Sequence, residues 1–165
     1  MSDDLERSGD QSFAGYTEFA DAIRLALQRA ASEQWKKMVW CDATFHEWPL
    51  GERAVIASLN TWAGAGRQLI MIAHDYQYLV RHNPRFVQWR KTWSHLIECR
   101  ARHGVDAEEF SSVLWSPHWA MHRIDTVRHR GSVGLEPQKR VLLKENLDEY
   151  YRQSSPAFPA TTLGL

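Results

Sequence analysis

Arg67-Gln68-Leu69-Ile70-Met71-Ile72-Ala73-His74-Asp75-Tyr76 is the stretch on which the fold turns. Its middle, Leu69 to Ala73, is a short, continuous apolar run carrying β-branched side chains, which reads as a buried strand. Unbroken apolarity implies cover on both faces, as a central parallel strand has. Upstream, Val55, Leu59 and Trp62 recur at helical spacing and stop at Gly64 and Gly66. Before them lies another short apolar run, Met38-Val39-Trp40-Cys41. Strand, helix, strand over this length is a βαβ unit with a right-handed crossover.

Working outward, Phe19, Ile23, Leu27 and Ala30 mark an amphipathic helix from Tyr16 to Ala31. Asn83-Pro84 opens another, with asparagine as cap and proline in the first turn. Its buried stripe takes in Phe86, Trp89 or Arg90, and Trp93. Residues 95–102 read either as an extension of that helix or as a strand carrying Ile97, Cys99 and Ala101 on one face. The α/β alternation favours the strand. Asp106 to Phe110 holds one helical turn, and Val113 to Leu135 is β-like, with reversals near Ser116-Pro117 and Gly131-Ser132. Pro137 opens a last helix carrying Val141, Leu142, Leu147 and Tyr150 or Tyr151. The expected architecture is a single α/β domain over 13–153, with a mixed, mostly parallel sheet flanked by helices. An acidic, disordered arm (1–12) precedes it, and an extended tail (154–165) with Pro156 and Pro159 follows.

At 165 residues the chain suits one core, and its eight tryptophans supply much of the burial. No run approaches the ~18 apolar residues of a membrane span. The acidic start lacks a signal-peptide layout, so a cytoplasmic location is expected. Cys41 and Cys99 sit in apolar segments and are expected to be reduced. Net charge is zero but segregated, with acids over residues 1–22 and bases over 81–103.

Ligands of open parallel sheets gather beyond the carboxyl ends of the strands. There the first strand runs into Asp42, Thr44 and His46, and the second into His74 and Asp75. Asp42, His46, His74 and Asp75 are therefore the candidate catalytic groups, since imidazoles beside carboxylates exchange protons near neutrality. The plainer reading has these histidines bonding loop backbone. Arg81, Asn83 and Arg85 are candidate anion ligands at a helix start. With Trp89, Arg90 and Trp93 they form a possible single-strand stacking platform, unless those tryptophans are core. Arg123, Arg128, Arg130, Lys139 and Arg140 make a second basic run, broken by Asp125 and Glu136. His95, Cys99 and His103 are four apart, but on a strand that spacing cannot serve one zinc ion. Neither a metal nor a cofactor is expected. GxSxG, Walker A and GxGxxG motifs are absent from the sequence. In the tail, Phe158, Leu163 and Leu165 are apolar anchors for self-docking or for a second subunit.

The segments FHEWPL (45–50), RQLIMIAHDY (67–76), HNPRFVQWRKTW (82–93) and LKENLDEYYRQSSPAF (143–158) resemble an uncharacterised proteobacterial domain family. That family resembles half of a phospholipase D-like α/β fold and is sometimes found beside acetyltransferase domains. The resemblance implies the fold. The catalytic signature of phospholipase D enzymes is a histidine, one residue, a lysine, and an aspartate further on. Here His118, His122 and His129 are followed two positions later by Ala120, Ile124 and Gly131, so the phosphohistidine chemistry does not carry over. The expected function is a non-catalytic partner- or ligand-binding domain, homodimeric. A hydrolase or transferase using the strand-end groups comes second, and a nucleic-acid-binding module third.

Overall fold

The computed structural model describes residues 10–134 and 136–160. Its frame is β2 (Lys37–Asp42), β3 (Gln68–Ala73) and β4 (Ile97–Ala101), paired in parallel with Cys41 opposite Ile72 and Met71 opposite Cys99. Alternate residues of β3 serve both faces. Leu69, Met71 and Ala73 pack under one helical layer, and Ile72 packs under the other. Complete burial of one such side chain stabilises by about 1.5–3 kcal/mol.

The larger layer holds α1 (Tyr16–Glu33), α2 (Arg53–Trp62), α3 (Gln77–His82) and α4 (Pro84–Thr92). α1 buries Phe19, Ile23, Ala26, Leu27 and Ala30, and stops where Gln34 turns left-handed at φ 56°. Trp35 then stacks on Trp119, with ring centroids 6.2 Å apart, and its carbonyl accepts the Trp62 indole N–H at 2.6 Å. The opposite face is covered by α5 (Pro137–Arg152) through Leu143 and Leu147. Val141 and Leu142, expected in its stripe, are instead exposed, because the buried register runs through 143 and 147.

The sheet also takes in β1 (Gln11–Phe13), β5 (Ser112–Trp115), β6 (Ala120–Asp125), β7 (Arg130–Gly134) and β8 (Ser155–Pro156). Its order is β1-β7-β6-β5-β2-β3-β4-β8. Among the described residues only β2–β3 and β3–β4 are parallel, so the sheet is mostly antiparallel, not mostly parallel. The cause is connection length: helical crossovers join β2 to β3 and β3 to β4, whereas β5, β6 and β7 are joined by tight turns, which force reversal. The first turn is closed by Ser116, whose Oγ accepts the N–H of Trp119 at 2.9 Å. The second is closed by Asp125, whose carboxylate accepts the N–H groups of Val127 and Arg128. Gly131 and Ser132 are thus mid-strand, not a reversal.

Residues 95–102 resolve as a 3-10 turn, Ser94–Leu96, followed by β4. Gln11 and Ser12, assigned from sequence to the disordered arm, pair with Val133 and Ser132; residues 1–9 lie outside the described residues. In the described part of the tail, Ser155 pairs with Ala101, and Phe158 rests on Tyr76 at 5.2 Å between ring centroids. Leu163 and Leu165 lie outside the described residues. Among the described residues no helix is long and apolar enough to cross a membrane.

Candidate functional site

β2 ends on Asp42, which turns toward the larger helical layer and is buried. Its carboxylate accepts the backbone N–H of Thr44 at 3.1 Å and of Phe45 at 2.7 Å. Phe45 adopts φ 60°, a conformation that this pair of bonds holds in place. The same carboxylate accepts the Ser112 hydroxyl from β5, and Arg123 Nη2 of β6 lies 3.5 Å away.

Arg123 is almost wholly buried, with its guanidinium carbon 3.8 Å above the Phe19 ring. Its Nε and Nη2 donate to Ser112 Oγ at 3.1 and 2.8 Å. Its Nη1 reaches Glu47 Oε1 at 2.9 Å and His129 Nδ1 at 2.7 Å. Arginine only donates, so His129 Nδ1 accepts and the ring proton sits on Nε2, which lies 3.5 Å from Glu47 Oε2. Five side chains from β2, its following loop, β5, β6 and the β6–β7 turn thus close one polar network. An arginine this deep is tolerable only because it is paired and hydrogen-bonded.

Reasoning from sequence put Arg123 in a basic run and overlooked Glu47 and Ser112. The signal was available. On β6, Met121 and Arg123 share a face, and a charge on a strand's inward face requires a buried partner.

The four strand-end candidates fall into separate groups. His46 is exposed, with Nδ1 2.9 Å from Thr44 Oγ1 and its ring beside Tyr78. His74 Nδ1 lies 3.2 Å from Asp75 Oδ2, and its ring meets His103 edge-on at 5.9 Å. The two loops touch through backbone, since the N–H groups of His74 and Asp75 both donate to the Ala43 carbonyl. Asp75, Tyr76, Val80, Arg81, His103 and Phe158 line a cavity of about 310 Å³ at these strand ends.

The anion candidates are divided as well. Arg85 Nη1 donates to the Gly51 carbonyl at 2.9 Å, while Arg81 lines the cavity just described. Asn83 precedes α4 but makes no side-chain cap. Of the stacking platform, Trp89 is core, and Arg90 is buried, donating to the carbonyls of Ile97 and Phe158. Trp93 donates its indole N–H to Asn60. Among the described residues no group of His, Cys, Asp and Glu is arranged to hold a metal ion. Cys99 Sγ faces Met71 Sδ in the core, and His103 stands by His74.

Comparison with solved structures places this geometry. NucT from Helicobacter pylori matches with a TM-score of 0.60 at 10% identity, over 89% of this chain and 98% of that one. The phospholipase D family member Nuc from Salmonella typhimurium matches at 0.53 and 12%, over 89% and 97%. The fold is phospholipase D-like. TrmBL2, an archaeal chromatin protein whose structure is described as showing a novel mode of DNA binding, matches at 0.65 and 12%, over 90% of this chain. The chain spans about half the length of TrmBL2, 54%. No family model matches the sequence, and no curated protein does. At these identities the likeness concerns the phospholipase D-like fold alone.

Proposed function

We propose that this chain is a binding domain that uses the phospholipase D-like fold to hold a partner or small ligand, as a homodimer, and does not cleave phosphodiesters. The observation that carries the reading is the state of Asp42. The most buried strand-end carboxylate already accepts from two loop amides, Ser112 and Arg123, and so has no free role as an acid or base toward a ligand. The residue two after His118 supports it further: Ala120, buried at the start of β6, offers no ammonium to a phosphate. Val141 and Leu142, exposed on α5, are apolar surface of the kind a second copy covers.

The test is release of p-nitrophenol from bis(p-nitrophenyl) phosphate, run beside sedimentation equilibrium. We expect no release above buffer, and a mass of two chains. Hydrolysis that His118→Ala abolishes, or a monomer at every concentration, overturns the reading.

Nucleic-acid binding is the second reading, and its specific support is the likeness to a chromatin protein and to phospholipase D family members. Against it stands the loss of Trp89 and Arg90 from the stacking platform to the interior. Binding of a single-stranded oligonucleotide that weakens steeply with salt, and again with Trp93→Ala, would raise this reading above the first.

A further inference from the structure

The face of the sheet under α5 contains a cavity of about 230 Å³, separated from His74 by the Phe110 ring, which meets both His74 and Tyr150 edge-on. Adjacent antiparallel strands build its floor: Val113 of β5 pairs with His122 of β6, so Ser111, Val113 and His122 share this face with Cys41 of β2. One flank of α5 supplies Leu143, Asn146, Leu147 and Tyr150.

Two properties define what such a cavity takes. First, the cavity floor carries no charged side chain, being built of Cys41, Ser111, Val113 and His122. Burial pushes the Cys41 thiol up and the His122 imidazole down, and each shift favours the form without charge. The one carboxylate on the rim, Glu149, already accepts from Arg152 and Gln153. No lysine or arginine lines the cavity, and Arg102, stacked over the Tyr150 ring, lies outside that lining, so a charged ligand would lose its hydration here without a direct counter-ion. The cavity on the other flank of α5 differs, with Lys37, Lys144 and Asp148 on its walls.

Second, the hydrogen-bonding capacity is incomplete. His122 Nε2 lies 3.0 Å from Ser111 Oγ, and the other ring nitrogen has no partner among the described residues. Val113, Leu143 and Leu147 provide the apolar walls.

We infer that this cavity binds a small uncharged ligand with a flat or short apolar body and a carboxamide-like polar end, the body lying against Val113, Leu143 and Leu147 and the polar end at His122, Ser111 and Asn146. The volume admits on the order of ten non-hydrogen atoms, smaller than the usual drug-sized occupant. This site rests on the binding-domain reading and gives that reading its ligand class.

Benzamide and benzoate form the test pair, since they share shape and differ in charge. Each is titrated into the full-length protein while the His122 ring signals and the methyl signals of Val113, Leu143 and Leu147 are followed by NMR. Benzamide shifts these signals saturably, and benzoate binds at least about tenfold more weakly, a difference of roughly 1.4 kcal/mol. Asn146 is exposed at the mouth, so Asn146→Trp closes the cavity without disturbing the core. It weakens benzamide by about tenfold or more and leaves the melting curve unchanged. Ser111→Ala, a second variant, weakens it about threefold. Absence of benzamide shifts, equal binding of benzoate, or unaltered binding in Asn146→Trp overturns the site. The two failures are distinguishable. A chain that ignores benzamide and also leaves phosphodiesters intact loses the site and keeps the broader reading; a chain that cleaves them loses the broader reading whatever benzamide does.

Discussion

Cys41 and Cys99 face opposite sides of the sheet, Cys41 under α5 and Cys99 under the larger helical layer, with β3 between their strands. No rotamer bridges them, because a disulfide needs Cβ vectors that point toward each other. Burial pushes the Cys99 thiol up to about 12 and raises the Cys41 thiol as well. We expect neither thiol to react with Ellman's reagent in the native state, and both to react after unfolding in urea. Rapid reaction of either one in buffer would contradict this packing.

Gly131 lies where β6 and β7 shift register, opposite Arg123. A Cβ there would collide with the His122 carbonyl, the Arg123 backbone and the Phe13 ring. Backbone cannot retreat as a side-chain tip can, so Gly131→Ala is expected to cost about 1–3 kcal/mol by urea denaturation. A neutral effect would mean that β7 approaches β6 less closely than described.

The tail closes the β4 edge. Arg100 donates to the Ser154 carbonyl and hydroxyl, and Arg90 to the Phe158 carbonyl. Removing residues 154–165 strips those acceptors and uncovers Tyr76. We expect a loss of about 2 kcal/mol or more, hence a melting temperature lower by roughly 4–8 °C for a domain of this size. Calorimetry checks it, and an unchanged midpoint would refute the docking.

His122 gives the fold a pH dependence. Burial holds its imidazole below the ordinary value of 6.5, so on acidification the unfolded chain takes up the proton first. The stabilisation is therefore complete above the unfolded value and is lost progressively as pH falls below 6.5. The urea midpoint should decline across that window, and His122→Gln should flatten the decline. An equal slope in the variant would assign the effect to another group.

Much of this fold was legible because periodicity survives in the strands and helices that carry it. Leu69 to Ala73 announced a strand covered on both faces, and Phe19 to Ala30 announced α1. The direction of the remaining strands was legible only at the Ser116-Pro117 reversal, because apolar runs look alike whichever way they pair. The second reversal was misplaced at Gly131-Ser132, because the turn capped by Asp125 is held by side-chain bonds that leave only a weak local trace. The strand-end residues were located, but not their grouping: Asp42 was visible as a carboxylate, whereas its commitment to Arg123, 81 positions away, is a tertiary fact. The stacking platform failed for a related reason. Trp89 and Arg90 are adjacent in sequence, and both are drawn inward, one as core and one as a donor to buried carbonyls.

Asp42 and Arg123 either brace the loop after β2 or stand ready for chemistry, and a double-mutant cycle on stability separates the two most directly. Asp42→Ala, Arg123→Met and the double variant are each unfolded in urea beside the parent chain. The bracing role predicts that each single change is strongly destabilising, with a coupling of about 1–3 kcal/mol between them. Additive effects, with a coupling indistinguishable from zero, would contradict it and return Asp42 to the list of groups free to act.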